Sequence, residues 1–189
     1  MQIMKKRETK KDFITAFWKL YEKKPIEKIS IRELCEAAGY NRTTFYKYYC
    51  SIYDLLEYAV EDLIVPVEDK LRNYNDIKKL FEDDGIQQFF LFLLKMNSHY
   101  IELLMKQQHH NILEEKIKAL VIPAINQQIK EESPGKKYMN YFITYQLAAA
   151  FGLIKHWFES GKNIKEGELV QLVYNISSRG VLTMIRDEL

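Results

Sequence analysis

The segment "SIRELCEAAGYNRTTFYKYYCSIYD", residues 30–54, constrains the fold of this 189-residue chain more than any other. It packs three helix starts and one helix stop into a short stretch. Ser30 and Glu33 form the S-x-x-E pattern of a capping box, in which the hydroxyl accepts from a first-turn N–H and the carboxylate reaches back. Gly39 follows Ala37 and Ala38, and a tight turn between helices favours a residue that adopts positive φ without steric cost. Asn41 is a good N-cap for a third helix, and Ser51 with Asp54 starts a fourth. Two short helices, about 31–37 and 42–49, joined by a Gly-containing turn make a helix-turn-helix pattern. In that arrangement the second helix enters the DNA major groove while the first crosses the backbone.

The flanking sequence supplies supports for this pair. Phe13, Ala16, Phe17, Leu20 and Tyr21 recur at helical spacing and predict a helix from about Thr9 to Lys24, with Pro25 discouraging continuation. Downstream, Leu55, Leu56, Ala59, Val60, Leu63 and Ile64 predict a fourth helix from Ser51 to about Arg72, kinked or stopped at Pro66. Seven Gly and four Pro are too few for the turns of an all-β protein, so the chain is expected to be all-α. The expected layout is an N-terminal three-helix helix-turn-helix domain, 1–65, and a larger C-terminal helical domain, 66–189, with about nine or ten helices altogether. Beyond Pro66 the expected helices span 76–82, 86–96, 98–106, 110–131 (bent at Pro123), 138–160 and 166–187.

Charge separates the two parts. Residues 1–50 carry a net +6 and the remainder a net −4. A basic module on an acidic body suits a chain whose first part meets a polyanion. If Phe45 and Tyr49 turn inward, Arg42, Thr43, Thr44, Tyr46, Lys47 and Tyr48 are left largely outward on the second helix of the pair. Thr suits a base edge or a phosphate, while Tyr hydroxyls and Lys suit phosphate oxygens. Lys6, Arg7 and Lys10 on the basic arm and Ser30 at the start of the preceding helix complete the expected DNA-binding set.

On these residues the chain resembles the TetR (tetracycline-repressor-like) family of bacterial transcription regulators. The likeness runs from about Lys6 to Leu63 and rests on the Ala16-Phe17 pair, "SIRELCEAAGYNRTTFY" and the closing Leu55-Leu56. The resemblance implies an all-helical homodimer, usually a repressor, that leaves a palindromic double-stranded operator when a small molecule enters its C-terminal domain. Two positions depart from the family's pattern. Tyr48 stands where His is common, and a phenol is uncharged at neutral pH; Ile52 stands where a Lys usually meets phosphate.

The later sequence, "AAAFGLIKHWFESGKNIKEGELVQLV", is similar to the small-residue helix, Trp-containing turn and final helix of one TetR subgroup. Ala148, Ala149 and Gly152 would permit close helix approach. Val173, Ile176, Gly180 and Met184 continue a facing stripe, so two helices per subunit would form a four-helix dimer interface. The aromatic-rich body offers Phe89, Phe92, Tyr100, Phe142, Tyr145 and Trp157 as candidates to line a pocket for a small apolar or aromatic ligand.

Other chemistry finds little support. His110 and Glu114 in "HHNILEE" share a helical face, but a metal site needs three or four ligands. No HExxH, G-x-S-x-G, phosphate loop or recognisable Cys–His spacing is present, so neither a cofactor nor an enzymatic activity is expected. Cys35 and Cys50 read as reduced thiols, no apolar run approaches the roughly 20 residues of a membrane span, and the start lacks a signal-peptide core. A cytoplasmic location is therefore expected. The leading reading is a dimeric, ligand-responsive repressor. The alternatives are a TetR-like regulator or activator controlled by a protein partner, and a helical enzyme or metal-binding protein.

Overall fold

A computed structural model describes residues 2–72, 84–96, 98–180 and 182. Nine α-helices, and no strand, occur among the described residues: α1 (Gln2–Tyr21), α2 (Ile31–Ala38), α3 (Arg42–Tyr46), α4 (Ile52–Arg72), α5 (Gly85–Lys95), α6 (Ser98–Lys106), α7 (His110–Asn126), α8 (Met139–Glu159) and α9 (Glu166–Arg179). The expected all-α class holds. The helix expected over 76–82 lies outside the described residues, as do Met184 and the end of the helix expected to reach 187.

The chain divides into two compact units, Met1–Leu63 and Ile64–Leu189. In the first, Phe13 of α1 is the hub. Its ring meets Phe45 at 5.6 Å and Tyr49 at 5.9 Å, both edge-on, and Tyr40 at 5.2 Å. Phe17, Tyr21, Ile26, Leu34, Leu55 and Leu56 fill the surrounding space and are fully buried. Edge-on aromatic pairs contribute about 0.5–1.5 kcal/mol each beyond area burial, so this cluster fixes α3 against α1 as well as excluding water.

Several helix bounds differ from expectation for local reasons. α1 begins well before Thr9, so the basic arm is helical rather than a loose tail. It ends at Tyr21, and a 3-10 turn at Ile26–Lys28, seated by the fully buried Ile26, leads into α2. α3 stops at Tyr46 because Lys47 N–H and Tyr48 N–H donate three residues back, to Thr44 and Phe45, tightening the last turn. α4 continues through Pro66 without stopping. Pro66 and Asp62 are both exposed, so water can solvate the Asp62 carbonyl that loses its intrahelical donor. α7 ends at Asn126, short of the expected 131, after Pro123.

In the second unit α8 packs against α6, α7 and α9, and α5 packs against α9. The core is Phe89, Phe90, Ile101, Leu104, Leu113, Ile117, Leu147, Ile154, Trp157, Leu169 and Val173. Trp157 Nε1–H donates to the Ile164 carbonyl at 2.8 Å, which pins the α8–α9 connection. Lys162, at φ 59°, places its ammonium 2.6 Å from Glu102 and 5.1 Å from the Phe158 ring centroid. Among the described residues, no helix is long and apolar enough to cross a membrane.

Candidate nucleic-acid interface

The α2–turn–α3 segment is built almost entirely from local signals. Ser30 Oγ accepts from Glu33 N–H at 3.2 Å and starts α2. The reciprocal half of the expected capping box is replaced, because the Glu33 carboxylate pairs with Lys24 at 2.5 Å. Gly39 ends α2 in the left-handed region, φ 76°, and Tyr40 N–H closes the turn onto the Cys35 carbonyl at 2.9 Å. Nothing would crowd a Cβ at Gly39, so its backbone angle alone calls for glycine. The Tyr40 hydroxyl donates to Asp12 Oδ2 at 2.8 Å, tying the turn to α1.

Asn41 then starts α3. Its Oδ1 accepts from Thr44 N–H at 2.8 Å and from the Thr44 hydroxyl at 2.9 Å. After α3, Ser51 Oγ accepts from Asp54 N–H at 3.1 Å, and Asp54 Oδ2 accepts from Cys50 N–H at 2.7 Å. With its ends fixed, α3 buries Phe45 completely and exposes Arg42, Thr43 and Tyr46, the last by 59%. Lys47 is also exposed, Tyr48 is half-buried beside Tyr49, and Lys6 and Arg7 of α1 are exposed.

Charge on this face is uncompensated where it counts. Arg32 is tied to Glu36 at 2.8 Å and Lys24 to Glu33, whereas Arg42 and Lys47 take no ion pair among the described residues. Two members of the expected set are committed inward. The Lys10 ammonium stands 4.4 Å from the Tyr58 ring centroid, and the Lys10 carbonyl accepts from the Tyr49 hydroxyl at 3.5 Å. Thr44 is half-buried, with its one hydroxyl proton given to Asn41. Burial pushes the Tyr49 phenol well above its usual range and also raises the Cys35 thiol, which leaves both neutral packing groups.

The candidate ligand residues do not form one site. An apolar cavity of about 40 Å³ lies among α5, α6, α7 and α8, lined by residues that include Phe90, Leu94, Ile101, Met105, Leu147 and Phe151. None of the six expected residues lines it. Phe89 is core, and Phe92 is half-buried with the Lys70 ammonium 4.7 Å from its centroid. Tyr100 is half-buried beside His99, and Trp157 is the loop pin. Phe142 and Tyr145 lie on the outer face of α8, 58% and 67% exposed. The cause is helical phase: Ile143, Leu147, Ala150 and Ile154 take the inner face, which turns 142 and 145 outward.

The candidate dimer residues divide likewise. Ala148 and Gly152 are exposed, with nothing near the Gly152 Cα that a Cβ would meet, and Ala149 and Ile176 are half-buried. Val173 is not an outward residue, since it packs inside the unit with Leu169 and Val170. Gly180 ends α9 at φ 81° and serves as its stop. Sequence reasoning missed Tyr138 and Tyr141, which continue the exposed face of α8; their spacing from Phe142, Tyr145 and Ala148 carried the signal. It also treated Asn41 only as a cap. Among the described residues no group of three or more His, Cys, Asp or Glu could hold a metal ion, and Glu114 pairs with Lys118 at 2.8 Å.

Comparison with known proteins agrees with the capped helix pair. A family model described as bacterial regulatory proteins, tetR family, matches residues 13–59. A second, described as transcriptional regulator C-terminal region, matches residues 82–179, more than half of the chain. A search of curated proteins finds no match. With both models matched, and the first lying over the hub of α1 and the helix-turn-helix, this chain belongs to the TetR family of DNA-binding transcriptional regulators.

Proposed function

We propose that the protein is a cytoplasmic bacterial repressor that binds a palindromic operator as a homodimer. The observation that carries this reading is the outer face of α8. Tyr138, Tyr141, Phe142 and Tyr145 occupy its N-terminal part, and Ala148, Ala149 and Gly152 follow around its midpoint. A two-fold axis between these two sets, at the level of Tyr145 to Ala148, would run two copies of the helix antiparallel. Large side chains of each would then meet small ones of the other, a self-complementary contact of the kind a closed dimer requires. Phe142 and Tyr145 thereby move from the ligand set to the dimer set. A dimer carries two copies of α3, one for each half-site of a palindrome, and such half-sites lie about 34–36 Å apart, one helical turn, or a multiple of it.

Release by a small apolar or aromatic molecule is the second part of the proposal, and its site would be the cavity around Phe90, Met105 and Phe151. At about 40 Å³ it is well below the roughly 300–1,000 Å³ of pockets that hold drug-sized ligands, so a ligand would have to open it. That small size favours, as a second reading, a regulator controlled by a protein partner. Recovering duplexes from a random-sequence pool with the purified protein tests the whole account. Palindromic duplexes bound by two protomers, and released by small aromatic compounds, are the expected result. Release by no such compound would leave the partner-controlled reading, and one protomer on a non-palindromic duplex would overturn the dimer.

A further inference from the structure

α3 has five residues, too few for a helix to hold its own direction, so its neighbours must set its tilt. Its one buried side chain, Phe45, meets the Phe13 ring edge-on at 5.6 Å. Apolar burial is non-directional, so this contact fixes where α3 sits more firmly than how it is turned. Hydrogen bonds are directional, and two of them bracket the helix. Before α3, the Tyr40 hydroxyl donates to Asp12 Oδ2 at 2.8 Å; after it, the Tyr49 hydroxyl donates to the Lys10 carbonyl at 3.5 Å. Both acceptors belong to the turn of α1 that ends in Phe13. The arrangement is a pivot at Phe13 with a tether on either side. The Tyr40 tether is the shorter, and its ring also lies 5.2 Å from Phe13. Asp12 follows Lys10 and Lys11, is exposed, and takes no ion pair among the described residues. An acid in that basic stretch opposes the approach of a polyanion, yet its observed partner is a hydroxyl from the turn that leads into α3.

We infer that Asp12 and Tyr40 are positioning residues for sequence discrimination, acting through α3 and not on the duplex. Their hydrogen bond holds α3 in the orientation that presents its outer face to base edges. The inference rests on the reading of the chain as a DNA-binding regulator. Without the bond α3 spends a smaller fraction of its time in that orientation, and affinity falls by the same fraction. Contacts to phosphate alone carry non-specific binding and tolerate a wider range of orientations. Loss of the bond therefore reduces discrimination and leaves general DNA affinity in place.

The test compares wild type, Tyr40→Phe, Asp12→Ala, Asp12→Asn and the double variant Tyr40→Phe/Asp12→Ala. Two probes are used: a duplex recovered by the wild-type protein from a random-sequence pool, and an unrelated duplex. Tyr40→Phe keeps the ring against Phe13 and alters no charge. Its preference for the recovered duplex should fall about three- to ten-fold, the scale of one hydrogen bond, with affinity for the unrelated duplex unchanged. Asp12→Asn retains an acceptor oxygen and should keep the wild-type preference. The double variant should discriminate no worse than Tyr40→Phe, because both changes remove one bond. A purely structural role would lower melting and leave the preference intact wherever the protein is folded. Wild-type preference in Tyr40→Phe overturns the inference, as does a double variant whose losses add. Should Tyr40→Phe fail to fold, wild-type preference in Asp12→Ala overturns it instead. A wild-type protein that binds neither duplex would count against the DNA-binding reading itself.

Discussion

In the first unit, Met1–Leu63, the rings of Phe13, Phe17, Phe45 and Tyr49 are at most 1% exposed, while in the second, Ile64–Leu189, Tyr141, Phe142 and Tyr145 lie 58–74% open to solvent. The exposed rings of the first unit, such as Tyr46 and Tyr53, carry hydroxyls suited to phosphate. Phe142 has no polar atom that water could satisfy. A closed aromatic core with an outward polar face describes a module whose partner is a polyanion. An exposed aromatic stripe on α8 is the feature from which a second copy is proposed as the partner of the second unit. The two units therefore use the same residue types differently: the first closes its phenylalanines into a core, and the second leaves Phe142 open among exposed tyrosines.

The largest expected effect is on the closed core. Phe45→Ala should lower the stability of the first unit by about 3–5 kcal/mol, because the ring is held by Phe13, Tyr46 and Tyr49 and little can collapse into its place. Urea unfolding followed by tyrosine fluorescence measures this; a cost under about 1 kcal/mol would mean the surrounding rings collapse into the space that Phe45 leaves.

On the outward face the effect should move from stability to binding. Arg42→Ala should weaken binding to the recovered duplex by about 1–3 kcal/mol and leave melting unchanged, since Arg42 takes no ion pair among the described residues. A drop in melting temperature without a loss of affinity would make it a structural residue.

The smallest effect belongs to the second unit. Hydrogen bonds from Lys106 and then Lys162 hold the Glu102 carboxyl below its usual range. A carboxyl depressed on folding contributes stability that is complete above its unfolded pKa, near 4.3, and is lost as pH falls through the lower folded value. Glu102→Gln should abolish that acid-side loss, read as a flatter dependence of unfolding free energy on pH below about 4.5. An identical pH profile for Glu102→Gln would show that the Lys106–Glu102–Lys162 cluster adds nothing to folding.

The same contrast explains what could be read in advance. Ser30, Gly39, Asn41 and Ser51 act within four residues of themselves, so the helix-turn-helix and the burial of Phe45 were legible. The inward set on α8 depends on which way Ile143 and Leu147 turn, and that is decided by α6, α7 and α9 together. Bulk alone suggested that Phe142 and Tyr145 point inward, and phase reversed it. Thr44 shows the finer limit. It was expected to face outward, whereas it is half-buried, and the commitment of its proton to Asn41 is a matter of rotamers that spacing does not encode.

The central claim, that the exposed face of α8 is covered by a second copy, is tested most directly by sedimentation of Gly152→Glu beside wild type. Nothing lies within 4 Å of a Cβ built at Gly152, and Glu is the better helix former, so the isolated subunit should fold as well or better. In a dimer the carboxylate would be buried without a partner, costing about 2–5 kcal/mol of association. Wild type should sediment as a dimer, and Gly152→Glu as a folded monomer with weakened binding to the recovered duplex. A Gly152→Glu dimer as tight as wild type would contradict the account and place the subunit contact elsewhere.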